Sequence, residues 1–177
     1  GYYHLFFKNI HAHHNTIILG LRNIETRGQF NIGTPYIMHL NKYDRTFLDI
    51  RGKLKISGLV TIGKGCRIAV YKGAVCTLKE CWINGLTNII VVHSLVIGSG
   101  TAIAWGCELM DEDWYTVDYE AKQNKDNAIV IGDHVLICSH VKILKGVHIG
   151  NNSVIAENSV VTKSFPEGNV LIAGNPA

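Results

Sequence analysis

The chain is predicted to be an all-β protein, a parallel β-helix of hexapeptide repeats. Three observations predict it. Between Ile131 and Val161 every sixth residue is aliphatic without a break: Ile131, Ile137, Ile143, Ile149, Ile155 and Val161. Four residues after each of the first five stands a small or β-branched one: Val135, Val141, Val147, Ser153 and Ser159. The same beat occurs earlier, at Ile50, Ile56, Ile62 and Ile68 and again at Ile97, Ile103 and Leu109. A period of six is neither the 3.6 of a helix nor the 2 of a plain strand. It marks a stacked repeat.

Each hexad supplies two residues to an interior and four to a surface or corner. Three hexads close a triangular coil of about 18 residues, and coils stack at about 4.8 Å. One hexad cannot bury its own apolar face, so several coils must stack. The aliphatic residue fills the prism, and the small one packs near the corner. Val60, Cys66, Thr101 and Cys107 hold the small position in the earlier stretches. Gly63, Gly98, Gly132 and Gly150 directly follow frame residues, where a tight bend or close coil packing favours glycine. Ile83 and Ile89 keep the spacing but are out of phase with both neighbours, so slips are expected near 75–82 and 90–96. The prism is expected to run from about Ile50 to Val161, within a β-helix domain spanning 50–177. Residues 1–49 lack the frame and are assigned to an N-terminal capping segment, since an exposed coil edge invites aggregation.

At 177 residues the chain is one domain, and a 47% hydrophobic composition suits a long thin core. The net charge of +3 is scattered, with no basic run, so nucleic acid is not an expected partner. No apolar stretch approaches the ~20 residues of a membrane span. The start, "GYYHLFFKNI", lacks the order of a signal peptide. The expected location is cytoplasmic, with no integral membrane segment. Five cysteines (Cys66, Cys76, Cys81, Cys107 and Cys138) form no C-x-x-C pair and read as small buried thiols in a reducing compartment. His11, His13 and His14 read as solvated side chains, and no metal is expected.

From Leu109 the next hexad is due at residue 115, yet it begins at Ile131. The inserted loop, about 111–128, holds Asp111, Glu112, Asp113, Asp118 and Glu120, with Trp114, Tyr115 and Tyr119 among them. Repeat proteins place insertions on one face, often the binding face, and loops on a rigid scaffold commonly carry function. The aromatics point to a loop that packs on something, such as a neighbouring subunit.

"VIGSGTAIAWGCELMDEDW", followed by "IVIGDHVLICSHVKILKGVHIGNNSVIAENSVVTKSFPEGNVLIAGNPA", resembles the hexapeptide-repeat acetyltransferases. The likeness is greatest to the sugar O-acetyltransferases of polysaccharide and surface-glycan pathways, including galactoside and serotype-type enzymes. It covers about residues 50–177, and "VVTKSFPEGNVLIAGNPA" is its specific signature. The resemblance implies a left-handed β-helix, against the usual right-handed crossover rule. It implies a homotrimer with active sites between subunits and acetyl-CoA, the co-substrate, along the outside of the coils. It implies acetyl transfer from the thioester straight to a hydroxyl of a sugar or nucleotide-sugar. In that chemistry a general base, usually a loop histidine, takes the acceptor proton, and backbone N–H groups stabilise the oxyanion.

The family's loop pattern is Asp-x-Asp-aromatic-His. Asp111, Asp113 and Trp114 match it, and Tyr115 stands where the histidine is expected. A tyrosine pKa near 10 makes a poor base at neutral pH. The candidate catalytic residues are therefore Asp113, His140 and Tyr115. Asp113 falls at the small inward position after Leu109, where burial raises a carboxyl pKa. His140, three residues past Ile137, points outward beside Ser139. Asp111, Trp114 and His93 are the candidate substrate-binding residues. His93 lies in the frame slip before Ile97, and some sugar N-acetyltransferases of this fold use a histidine in a comparable early coil. For CoA, Ser139 matches the Ser of the family's "GSH", and Thr162 and Lys163 match the Thr-Lys of "VTK". Lys163 is a sensible point charge for a CoA phosphate. Glu157 replaces a small residue of "IGAG", which would crowd or repel the CoA, and Leu136 replaces the tryptophan of "VWIG".

Two other readings share the fold. A γ-class carbonic anhydrase-like zinc protein needs three histidines converging between subunits, whereas His134 and His140 lie on successive faces and diverge. Tyr115 and Leu136 also fit a trimeric binding or scaffold protein that has lost catalysis. Fold alone does not decide among these.

Overall fold

The computed structural model describes residues 9–35, 41, 43–115 and 126–177, and the backbone of 2–5. The chain winds into a prism with three sides, each a stack of parallel strands. Ile10–His13 opens the first side and Thr16–Leu19 the second. Ile24–Thr34 runs along the third side and then turns onto the first side of the next coil. Thr46–Ile50 and Lys53–Gly63 repeat that course one coil further on. The two long strands bend together where Gly28 pairs with Gly58. A Cβ on Gly28 would lie 2.0 Å from the Gly58 carbonyl oxygen, so the bend admits only glycine.

Register is strict. On the first side Thr61, Trp82, Ala102, Leu136, Val154 and Leu171 stand one above another, and all but the buried Thr61 are at least partly exposed. Their neighbours Ile62, Ile83, Ile103, Ile137, Ile155 and Ile172 form the matching inward column, and all are buried. Arg67, Asn88, Glu108, Lys142 and Val160 face out on the second side. Every predicted frame residue from Ile131 to Val161 lies in the core. Burying each aliphatic side chain contributes about 1.5–3 kcal/mol.

Parallel pairing begins at Ile10, well inside the segment assigned as a cap over 1–49. Ile10, Phe30, Ile32 and Leu48 are core residues of full coils. Their sides carry inward residues in two-residue alternation, as in Leu48 and Ile50, so no six-residue beat is audible there. The edge of the first coil is instead paired by Tyr2–Leu5, which runs antiparallel to Ile10–His13.

The slips arise mainly at one edge, with one residue also dropped between Leu78 and Ile83. The step from the first side to the second is six residues at Ile62–Ile68, Ile83–Ile89, Ile103–Leu109, Ile137–Ile143 and Ile155–Val161. The edge between second and third sides varies: Ile68 to Leu78, Ile89 to Ile97, Leu109 to Ile131, then Ile143 to Ile149. Earlier coils insert an extra inward pair there, Val70 with Cys76 and Val91 with Leu95, and the later ones do not. The edge between third and first sides also brings coils into close approach. A Cβ on Gly98 would meet the Gly132 carbonyl oxygen at 2.4 Å.

The cysteines fill small interior positions, as expected. Cys66, Cys76, Cys81 and Cys107 are buried, Cys138 is half-buried, and all are free thiols. Burial pushes Cys66 and Cys81 up to about 12 and Cys107 to about 11, and Cys76 is raised as well. No helix among the described residues is long and apolar enough to cross a membrane.

Candidate functional site

The inserted loop leaves the prism at the second-to-third edge, and Asp111 anchors its first stem. The beat stops at Met110, so the chain turns and Asp111 goes inward, fully buried. Its carboxylate accepts three backbone N–H bonds from the preceding coil: Val92 at 2.6 Å, His93 at 2.9 Å and Ser94 at 2.9 Å. Asp111 was expected to touch substrate. As placed, both its oxygens are taken by the chain's own backbone, and it builds the site from beneath.

Glu112 comes next and turns back over the same coil. Its Oε2 accepts from His93 Nε2 at 2.9 Å, and its Oε1 accepts the N–H groups of Asp113 and Trp114 at 2.9 and 3.3 Å. The His93 hydrogen bond, then the Asp113 N–H, hold this carboxyl down at about 2. Asn127, on the returning stem, places Nδ2 3.2 Å from His93 Nε2 and 3.4 Å from Glu112 Oε2. Both ends of the insertion thus converge on one imidazole. That ring is still 43% exposed.

Asp113 was expected at the inward position after Leu109. It is exposed, because Asp111 has taken the inward place two residues sooner, and Lys145 Nζ donates to its Oδ1 at 2.9 Å. Trp114 lies over Tyr71, with ring centroids 5.9 Å apart. Tyr115 is 75% exposed. Asp118, Tyr119 and Glu120 fall outside the described residues. Glu112, Asn127, Lys145 and Tyr71 were not singled out from sequence. Only the loop's position pointed toward them.

The remaining candidates lie elsewhere. Ser139 and His140 occupy the first-to-second edge. His140 points outward, as expected, and adopts a left-handed φ of 58°. Its ring packs on Gly106 of the preceding coil, where a Cβ would come within 2.7 Å of Nδ1. The Ser139 carbonyl accepts the Asn158 N–H at 3.1 Å, which stacks exposed Glu157 beside it on the next coil. Thr162 and Lys163 sit on the second-to-third edge, below the loop, with Lys163 Nζ 5.6 Å from the Phe165 ring centroid. The three residues matched to CoA contacts, Ser139 on one edge and Thr162 and Lys163 on another, are therefore split within one chain, with Glu157 on the edge of Ser139. His134 occupies the third-to-first edge and diverges from His140, as expected. The outward column of Trp82, Leu136, Val154 and Leu171 leaves an apolar stripe exposed along the first side.

A prism of stacked hexapeptide coils, with an acidic and aromatic insertion at the second-to-third edge, defines a protein of the hexapeptide-repeat β-helix class. Three comparisons agree. The family model described as bacterial transferase hexapeptide (six repeats) matches residues 128–163. A Klebsiella pneumoniae protein, described as an uncharacterized 24.8 kDa protein in the cps region, is 34% identical over 172 residues, covering 96% of this chain and 78% of that one. The putative lipopolysaccharide biosynthesis O-acetyl transferase WbbJ of Escherichia coli (strain K12) is 30% identical over 138 residues, covering 71% and 70%. The crystal structure of the polySia specific acetyltransferase NeuO shares the fold at a TM-score of 0.52 and 23% identity, covering 88% of this chain and 84% of that one. The chain belongs to the hexapeptide-repeat acetyltransferases of the sugar O-acetyltransferase type.

Proposed function

We propose that the protein transfers an acetyl group from acetyl-CoA to a hydroxyl of a sugar or nucleotide-sugar in surface polysaccharide biosynthesis, and that it works as a homotrimer. The observation that carries this reading is the loop edge. There an imidazole paired with a carboxylate stands beside an exposed aromatic rim, on the scaffold of a sugar acetyltransferase family. The relatives support a glycan acceptor, since one is a putative lipopolysaccharide O-acetyl transferase and another lies in a cps region.

The split of the CoA residues supports a shared groove. Ser139, with Glu157 and His140 at its rim, faces Thr162 and Lys163 of a neighbouring copy, and Lys163 supplies the positive charge for a phosphate. The apolar stripe from Trp82 to Leu171 is covered in the same assembly. Asp113, Trp114 and Tyr115 form the rim that receives the acceptor. No metal takes part.

The test is turnover. Purified protein with acetyl-CoA and a panel of sugar acceptors should release CoA thiol and yield acetylated product by mass spectrometry. Lys163→Ala should raise the KM for acetyl-CoA by about tenfold with kcat little changed, the mark of lost ground-state binding. Light scattering should return the mass of three chains. A trimer that neither binds acetyl-CoA in calorimetry nor acetylates any acceptor would establish the scaffold reading instead.

A further inference from the structure

We propose that His93 is the general base of this chain, acting through Nδ1, and that Glu112 is the positioning residue that leaves Nδ1 free to act. The proposal rests on the acetyl-transfer reading above and goes beyond it by naming the base.

The place where a loop histidine is expected holds Tyr115, and a phenol is a weak base at neutral pH. His93 occupies the same edge one coil earlier. Its backbone is pinned by Asp111, which also binds the N–H groups on either side of it. Its ring is pinned by Glu112 at 2.9 Å. A carboxylate can only accept, so this contact assigns the ring hydrogen to Nε2. Asn127 Nδ2, at 3.2 Å from Nε2, is itself only a donor. With hydrogen on Nε2, the Asn127 amide turns its bond to Glu112 Oε2, which it reaches at 3.4 Å. Glu112 thus sets the tautomer, and Asn127 accommodates it through the same carboxylate. Nδ1 keeps its lone pair, and it makes no hydrogen bond among the described residues. Of the other candidates, Asp113 is engaged by Lys145 at 2.9 Å, and His140 lies on a different edge, its ring packed over Gly106.

The chemistry balances without a further reactant. Nδ1 takes the proton of the acceptor hydroxyl as that oxygen bonds to the thioester carbonyl carbon. The charged Glu112 carboxylate stabilises the imidazolium so formed. The tetrahedral intermediate collapses, the carbon–sulfur bond breaks, and the departing thiolate takes the proton from Nδ1. The products are the acetyl ester and free CoA, and His93 ends neutral as it began.

The experiment compares wild type with His93→Ala, His93→Gln, Glu112→Gln and Asp113→Asn, and uses His134→Ala, on a different edge, as the control. Kinetics are read alongside long-range nitrogen–proton NMR of the His93 ring. His93→Ala and His93→Gln should lower kcat by roughly 10²–10⁴-fold, with the KM for acetyl-CoA within about threefold and the control unchanged. Glu112→Gln should lower kcat by at least about tenfold and move the ring from the Nε2–H toward the Nδ1–H tautomer, a change that a merely structural role would not produce. Wild-type protein with no transfer overturns the functional reading and the base role together. An active wild type whose His93 variants keep more than half of kcat overturns the base role alone. Loss at Asp113 without loss at His93 assigns the base to Asp113. An Nδ1–H tautomer in wild type overturns the role given to Glu112.

Discussion

Asp111→Ala separates what holds the loop edge together from what acts there. The Asp111 carboxylate is wholly enclosed and satisfies the N–H groups of Val92, His93 and Ser94. Alanine removes the acceptor and leaves all three donors facing a void. A hydrogen bond to a charged group contributes about 1.5–3 kcal/mol, and a buried donor left unpaired costs about 1–3 kcal/mol. Val92 and Ser94 are half-buried and His93 is exposed, so water recovers part of the loss. The expected destabilisation is about 3–5 kcal/mol. For a chain of this size each kcal/mol moves Tm by about 2–4 °C, which gives a fall of about 6–20 °C. Asp113→Ala is the matched control two residues away. Its exposed pair with Lys145 contributes about 0–1 kcal/mol, so its Tm should fall by no more than about 4 °C. Thermal unfolding by circular dichroism on parallel preparations reads both. If Asp111→Ala melts within about 2 °C of Asp113→Ala, the N–H clamp does not hold the edge, and the reasoning fails.

Ile137 stands in the inward column between Ile103 and Ile155. Ile137→Ala should cost about 2–5 kcal/mol, read as a lower urea midpoint at unchanged slope, and a loss below about 1 kcal/mol would contradict close packing there. The thiols of Cys66, Cys81 and Cys107, pushed up to between about 11 and about 12, should resist a disulfide reagent in the native protein at mildly alkaline pH. Only half-buried Cys138 should react before denaturant exposes the rest, and two fast native thiols would refute this burial. Glu112 is held at about 2 against an ordinary 4.5, so its contacts stabilise the fold fully above 4.5, and that contribution is lost as pH falls through about 2. Glu112→Gln should flatten acid destabilisation across that window, and an unchanged acid unfolding curve would show that the His93 contact does not form in solution.

The later coils were legible because a side and a corner together take six residues, so Ile137, Ile143 and Ile149 mark themselves. The earlier coils were not. Phe30 and Ile32, or Leu48 and Ile50, alternate like any half-buried strand. Their partners lie a whole coil away, as Phe30 does from Val60, and no local pattern records that pairing. At the site, the break after Leu109 located the loop, and His93 stood out as a lone histidine in a slip. Counting four residues on from Leu109 put Asp113 inside. The count failed because the coil ends at Met110 and Asp111 turns in. Which of the loop acids would face His93 depended on that turn, so Glu112 could be found only in three dimensions.

The unequal edges of the prism have an evolutionary consequence. Register on the first side is unbroken from Thr61 to Leu171, while the second-to-third edge absorbs excursions as long as that from Leu109 to Ile131. The stack and the loop are therefore geometrically separable. A lineage can lengthen, shorten or replace the chain between Asp111 and Asn127 while the coils above and below keep their alignment. Chain length and side-chain chemistry can change at this one edge as a cassette, while the core keeps its alignment.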